Sequence, residues 1–367
     1  MKKLTLGDVC KKESSNIAQK DIMECEGEYP IYGAGGFIKN VNFYQQELPY
    51  IAVVKDGAGI GRTMLLPAYS SVIGTMQYIL PIDYESIDLQ YLYYAIVHMD
   101  LGKYFSGATI PHIYFKDYKK EKLFLPEICE QQRISLLLKQ VDLMIEKQNN
   151  QVELVDKLVQ SRFVEMFGNP VLNEKGWRTK PLLDMGNCKN GMNFHYDDCG
   201  VEINCLGVGD FKDLSVIDDT KQLPTVSLNE MPSEEYLLKD NDIVFVRSNG
   251  NKELVGRSIA VYPGNVATTF SGFCIRYRKY DDEVIIPYLL RVLKTDSIRR
   301  KMAGRGANIQ NLNQQILGTL IVPIPPLELQ NRFADFVQQV DKSKSVIQKS
   351  LDKLEILKKS LMQKYFG

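Results

Sequence analysis

Histidine is scarce in this chain, with three residues, and no two cysteines stand in a Cys-x-x-Cys spacing. A zinc site needs closely spaced Cys and His ligands, so both shortages argue against one. The seven cysteines are odd in number and widely scattered, which fits reduced thiols in a cytosol better than a disulfide framework. No apolar run approaches the roughly 18 residues of a membrane span. Met1-Lys-Lys leads into mixed residues, so no signal peptide is expected. An excess of one charge is missing too, since 45 Lys and Arg balance 45 Asp and Glu. A neutral chain is poorly suited to promiscuous, electrostatically driven DNA binding. It is still compatible with a specific reader whose basic residues are clustered.

Catalytic motifs are also lacking. Gly57-Ala-Gly-Ile-Gly61 follows an apolar run but has neither the Gly-Lys-Ser/Thr of a P-loop nor dinucleotide-fingerprint spacing. The plainer reading is a tight hairpin in which glycine supplies positive φ. There is no Asn/Asp-Pro-Pro-Tyr/Phe signature of an amino-methyltransferase; Asn169-Pro170-Val171 reads as a helix stop. Asp117-Tyr-Lys119 is a bare Asp-x-Lys tripeptide, and His98, His112 and His195 have no evident triad partners. No catalytic residue and no metal ligand is assigned.

What the sequence does contain is a copy of itself. Shifting residues 126–168 by 199 positions (367 − 168) lays them on residues 325–367 without a gap. Pro126 falls on Pro325, Gln131 on Gln330, Arg133 on Arg332, and Phe167-Gly168 on Phe366-Gly367. The same shift carries Gly107-Ala-Thr-Ile110 onto Gly306-Ala-Asn-Ile309. A long self-match in fixed register signals duplication.

Both copies read as helices of about 40 residues, roughly 60 Å long at 1.5 Å per residue. In the first, Ile134, Leu137, Val141, Met144, Gln148, Val152, Val155 and Leu158 recur every three or four residues. In the second, Phe333, Phe336, Val340, Ser343, Ile347, Leu351, Leu354, Leu357 and Leu361 do so. Each stripe needs a partner, and the other copy is the obvious one. Residues 126–168 carry 5 basic and 7 acidic side chains, residues 325–367 carry 8 and 5, so the charges are opposite. The alternative is two surface helices, each lying on its own domain. Paired antiparallel, helices of this length would fix the separation of two domains.

The segments between the helices match as well. Tyr50–Val54, Thr63–Leu66 and Thr75–Leu80 read as strands, Leu89–Met99 as a helix, Glu28–Phe37 as a glycine-rich loop. Asp184 corresponds to Asp8 (shift 176), Arg247 to Lys55 (192) and Arg257 to Arg62 (195), before the shift settles at 199. The added residues fall between elements, where insertions cost little. The expected fold is therefore α+β: two mixed domains, 1–125 and 169–324, each followed by a long helix, 126–168 and 325–367, the helices pairing as an antiparallel coiled coil.

Polar loops supply candidate DNA contacts, since base reading needs hydrogen-bonding side chains on a rigid scaffold. In the first domain these are Lys55, Arg62, Ser106, Thr109 and His112. In the second they are Arg247, Ser248, Asn249, Lys252, Arg257, Arg305, Asn308, Gln310 and Asn311. Lys119-Lys120 and Arg299-Arg-Lys301 add charge nearby.

In this order of parts the chain resembles the specificity subunit of type I restriction-modification systems. The residues carrying the resemblance are Tyr32-Gly-Ala-Gly-Gly36, Lys55–Arg62, the two Gly-Ala-x-Ile loops, and Glu130-Gln-Gln-Arg133 with Leu329-Gln-Asn-Arg332. The second domain lacks the Tyr-Gly-Ala-Gly-Gly stretch. The resemblance implies two target-recognition domains, each reading one half of a bipartite site in double-stranded DNA. It implies docking of two methyltransferase (M) subunits and of restriction (R) subunits, with no chemistry in this chain. S-adenosylmethionine, ATP and magnesium would be bound by those partners. A cytoplasmic protein with no membrane partner is expected. The rival readings are a self-contained methyltransferase or nuclease, and a coiled-coil scaffold that binds protein.

Overall fold

The computed structural model describes residues 2–107, 111–194, 199–211, 215–303 and 311–367. The chain divides into two compact units: residues 1–151 with 347–367, and residues 152–346. Each unit thus holds one mixed domain and part of both long helices.

In the first unit, four antiparallel strands lie in the order Cys10–Ser14, Met76–Pro81, Tyr50–Val54, Thr63–Leu66. Tyr50–Val54 is buried at every position, as its continuous run of apolar and β-branched residues requires of a central strand covered on both faces. Alternation along it feeds two cores. Ile51 and Val53 join Ile79, Leu92 and Ile96, under the helix Leu89–His98. Tyr50, Ala52 and Val54 join Tyr78 and Leu80 on the other face.

Beside this sheet, Tyr29–Gly33 pairs antiparallel with Gly36–Val41 and parallel with Ser71–Val72. The glycine-rich stretch expected as a loop is therefore mostly strand. Its glycines mark the hairpin tip, where Gly36 has φ 109°. Lys2–Thr5 and Lys122–Leu125 close the domain as a two-stranded ribbon. Within the stretch Leu4–Asp8, the end of this strand is followed by one helical turn, Leu6–Val9.

The second unit repeats this plan with one strand added. Gly186–Asn190, Cys274–Lys279, Asp242–Val246 and Ser258–Val261 lie in the same order, and Val216–Ile217 adds a fifth, parallel strand. Val201–Leu206 again pairs antiparallel with one strand, Thr225–Leu228, and parallel with another, Thr268–Phe270. Arg178–Pro181 and Ile321–Ile324 form the ribbon. Asp242–Val246 feeds two cores like its counterpart, Ile243 and Phe245 into one, Val244 and Val246 into the other.

The long helices run Ile128–Phe167 and Leu327–Phe366, 40 residues each, with both ends 199 apart (327 − 128, 366 − 167). Gly168 ends the first in the left-handed region, φ 76°, its N–H donating to Val164 O at 2.8 Å.

Within each unit the helices run side by side and antiparallel. In the first, Lys358 Nζ lies 2.6 Å from Asp142 Oδ1, and six residues further along, Gln148 Nε2 reaches back to Ser350 Oγ at 3.5 Å. In the second, Lys344 Nζ sits 2.7 Å from Asp156 Oδ1, and Phe163 and Phe167 pack on Phe333. Acids come from the first helix and bases from the second, as the charge imbalance predicts. Half-exposed pairs of this kind contribute about 0–1 kcal/mol, so apolar burial holds the helices and the ion pairs favour one alignment.

The buried stripe differs from the sequence reading by one register step in places. On the first helix, Leu138 (0% exposed) and Phe163 (1%) are buried, whereas Met144 and Leu158 stand in solvent at 53% and 52%. On the second, Leu357 is exposed at 46%. Positions 134, 138, 141, 145, 148, 152, 155 and 159 are among the covered or half-covered ones. Those steps of three and four residues average about 3.6 (25 residues over seven steps), one continuous face of the helix. Runs such as Leu136-Leu-Leu138 offer several apolar choices, and only the neighbouring surface decides which faces inward.

Candidate nucleic-acid interface

The hairpin after the first central strand turns on three glycines with positive φ: Gly57 at 84°, Gly59 at 87° and Gly61 at 79°. A Cβ on Gly61 would sit 2.3 Å from Gly102 N. The turn is thus pressed onto the backbone beside Leu101, which fixes where its side chains point.

Two loops far apart in sequence meet here. Gly57 N donates to Pro111 O at 3.0 Å, and Ile113 N donates to Lys55 O at 2.9 Å. Ser106 and His112 exchange both backbone hydrogen bonds at 2.8 Å. His112 Nδ1 lies 2.7 Å from Asp56 Oδ1, and Lys55 Nζ is 3.7 Å from Asp56 Oδ2. Facing a carboxylate, Nδ1 carries the proton, which leaves Nε2 outward as an acceptor in the neutral ring. Arg62 Nη1 donates to Ala34 O at 2.8 Å, tying the glycine-rich hairpin to the same place. Lys55, Arg62, Ser106 and His112 are therefore gathered around one hairpin and the loops tied to it, while Thr109 lies outside the described residues.

The second domain builds the same frame from different side chains. In the first, Lys55 N and Asp56 N donate to Thr75 O at 3.0 and 3.2 Å; in the second, Arg247 N and Ser248 N donate to Phe273 O at 2.7 and 3.3 Å. Leu312 N donates to Arg247 O at 2.7 Å, as Ile113 N does to Lys55 O. The Asp56–His112 bridge is replaced by Ser248–Asn311. Gly256, φ 76°, stands where Gly61 does.

Arg247 Nη1 is held by Gly272 O at 3.2 Å, so the guanidinium is oriented with other donors left over. Asn249 has a more structural part, because its Oδ1 accepts from Asn251 N at 2.8 Å and shapes the turn. Lys252 begins the short helix Lys252–Leu254. Arg305, Asn308 and Gln310 lie outside the described residues.

Arg257 departs from its expected grouping. It lines a separate cleft with Arg299 and Arg300, not the face formed by Arg247 and Asn311. Lys119 O and Glu121 O accept from Gly7 N and Leu6 N, so the Lys119-Lys120 turn is tied to the first helical turn and not to the hairpin.

Sequence reading missed Phe273, 61% exposed, and Tyr114, 50% exposed and stacked on His112 at 6.5 Å. Both stand on the frame and offer aromatic surface to a ligand. Their signal was available, since each adjoins a paired loop, but an isolated aromatic reads by default as core.

Among the described residues no group of three or more His, Cys, Asp or Glu is placed to hold a metal ion, and no helix is long and apolar enough to cross a membrane. The frame is thus a duplicated platform of polar and aromatic side chains.

The family model of the type I restriction modification DNA specificity domain matches residues 1–154 and again residues 174–356. The chain belongs to this family. Over 337 residues it is 22% identical to the type I restriction enzyme MjaVIII specificity subunit of Methanocaldococcus jannaschii, covering 85% of this chain and 77% of that protein. The crystal structure of the type I restriction-modification S subunit from M. genitalium matches 100% of this chain and 96% of its own, with a TM-score of 0.61 at 18% identity. A chain from a structure describing complex assembly and conformational transition of the type I R-M system matches with a TM-score of 0.56 at 15% identity, covering 100% of this chain and 97% of that one. At these identities the structural likeness is one of fold. It agrees with the α+β architecture read from the sequence, and two matches of one specificity domain agree with the duplication.

Proposed function

We propose that this chain is the DNA-recognition subunit of a type I restriction-modification complex, with each mixed domain reading one half of a bipartite site. The observation that carries this is the shared frame. Lys55, Asp56 and His112 occupy the same backbone positions as Arg247, Ser248 and Asn311, with different side chains on each. A common scaffold with divergent hydrogen-bonding groups is what two readers of different base sequences need, because base edges are told apart by donor and acceptor patterns.

The chain has no chemistry of its own in this reading. Methyltransferase subunits, two of them, and restriction subunits supply S-adenosylmethionine-, ATP- and magnesium-dependent steps in the cytoplasm. Exposed apolar side chains on the long helices give them a surface. Leu136, Leu143 and Met144 stand 53–59% exposed in the first unit, Leu154 and Leu158 52–62% in the second, more apolar area than a solvated helix face needs.

Replacing residues 169–324 by the equivalent domain of a relative tests the reading. Long-read methylation profiling of the reconstituted complex should show one half-motif changed and the other kept. A change in both halves, with both domains folded, would overturn it.

A further inference from the structure

The second domain carries a cationic cleft that the duplicated reading frame does not use. Its volume is about 670 Å³, and Arg257, Arg291, Lys294, Arg299 and Arg300 line it together with Phe163 of the first long helix. Three acids also line it. Asp156 is held by Lys344 at 2.7 Å, Asp296 is exposed, and Glu253 accepts the Arg299 Nη2 hydrogen bond through its backbone carbonyl. Cations therefore outnumber acids, and one acid is already neutralised.

Among the described residues, Arg291, Lys294 and Arg299 are poorly satisfied by protein. Arg299 Nη1 is buried without a hydrogen-bond partner. The Arg291 side chain, on the helix Ile286–Lys294, makes no hydrogen bond among the described residues. Among the described residues Lys294 Nζ has one hydrogen-bond partner, the neutral Ser215 Oγ, at 2.7 Å. Burial holds the Arg291, Lys294 and Arg299 groups below their ordinary ranges, and Arg291, one turn before Lys294, pushes it further down. Placing like charges together out of water is costly unless an anion completes the cluster.

The cluster is not inherited from the duplicated plan. Tyr91 and Tyr288 are structural counterparts, their hydroxyls donating to Phe124 O and Pro323 O at 2.8 and 3.0 Å. Counting three and six residues on, Arg291 and Lys294 correspond to Tyr94 and Val97. In the first unit Tyr94 donates to Asp142 Oδ2 at 2.7 Å instead. A feature present in one reader and replaced in the other is not part of the frame common to both.

We propose that this cleft binds a phosphate group. Planar guanidinium groups match the paired oxygens of phosphate, and an ammonium adds a point charge beside them. The phosphate has two possible sources, a free phosphate-bearing molecule or the backbone of bound DNA.

The test uses the full chain. Inorganic phosphate and pyrophosphate should each raise its melting temperature above that in potassium chloride of equal ionic strength. Arg291→Gln and Lys294→Gln should each raise the phosphate concentration needed for that response by about tenfold, the scale of one charge-assisted hydrogen bond. Arg291→Lys should recover part of it, which separates loss of the site from loss of fold. In the assembled complex, a DNA phosphate as ligand would lower the slope of log affinity against log salt by about 0.9 in the Gln variants, with the methylated motif unchanged. An unchanged slope with a lost phosphate response would assign the cleft to a free molecule. The proposal is overturned if phosphate and pyrophosphate stabilise no more than chloride and the slope is unaltered, or if the Gln variants respond as the parent does.

Discussion

Gln131 and Gln330, 199 positions apart, make the same three hydrogen bonds in the two halves of the chain. Gln131 Oε1 accepts from Asp88 N, and Nε2 donates to Ser86 O and Pro126 O, all at 2.9 Å. Gln330 Oε1 accepts from Ile285 N at 2.9 Å, and Nε2 donates to Glu283 O and Pro325 O at 2.9 and 2.8 Å. Both side chains are fully buried. Each fastens the first turn of a long helix to the loop that opens its domain's own helix, so the two elements cannot slide independently.

Replacing Gln131 by Leu leaves a buried N–H and two carbonyls without partners, at about 1–3 kcal/mol for each group that water cannot reach. Urea unfolding should show a loss of a few kcal/mol, with the Gln330→Leu loss similar. A change below about 0.5 kcal/mol, the range of ordinary surface substitutions, would show that the clamp is dispensable.

His112→Ala and Asn311→Ala probe matching positions of the two frames. Each should cost about 1–3 kcal/mol in affinity of the assembled complex if a base contact is lost, and relax one half-motif only. Arg247→Ala should act on the same half as Asn311→Ala. Titration of the complex with DNA libraries degenerate in one half at a time reads this out. Equal relaxation of both halves by a single substitution would contradict one reader per domain.

Inserting one heptad into each long helix, after Asn150 and after Lys349, keeps the seam within about 20° of its phase and adds roughly 10.5 Å of helix. If the helices act as a ruler, the unread gap between half-motifs should grow by about three base pairs at roughly 3.4 Å each, with both half-motifs retained. Inserting two residues instead turns the stripe by about 200° and should break the assembly. A methylating complex with an unchanged gap after the heptad insertion would rule out the ruler.

Lys294 gives a pH dependence of known sign. Its ammonium is pushed down to about 8 by burial, with Arg291 adding to the effect. Asp156 and Asp341 oppose this and Lys344 reinforces it. Between that value and its ordinary 10.5, the unfolded chain binds more protons than the folded one, so this group makes stability rise with pH. Below pH 8 it is charged in both states and its penalty is complete. Relative to Lys294→Met, the parent should therefore gain melting temperature between about pH 7 and about pH 9.5. A constant difference across that range would mean that the ammonium is well solvated.

The sequence alone determined the duplication, the two long helices and the strand Tyr50–Val54. A gapless match over 40 residues has no other simple cause, and the apolar, β-branched run Tyr50–Val54 reads as a strand without help from the fold. It also placed Lys55, His112, Arg247 and Asn311 on loops, because glycine turns and paired shifts bracket them.

Only the tertiary structure decided which of those residues meet. Asp56 and His112 are joined by a bridge across 56 residues, and no local pattern reports a contact at that distance. The same holds for the helix seam. Leu138 is covered and Leu158 exposed, although both are leucines in similar surroundings along the chain, because burial is a property of the opposing surface. Arg257 fell to the cleft and Arg247 to the hairpin frame for a like reason. Residues ten apart in sequence flank one hairpin turn, where Val246 N donates to Arg257 O at 2.9 Å, and only the fold sets which way each side chain leaves it.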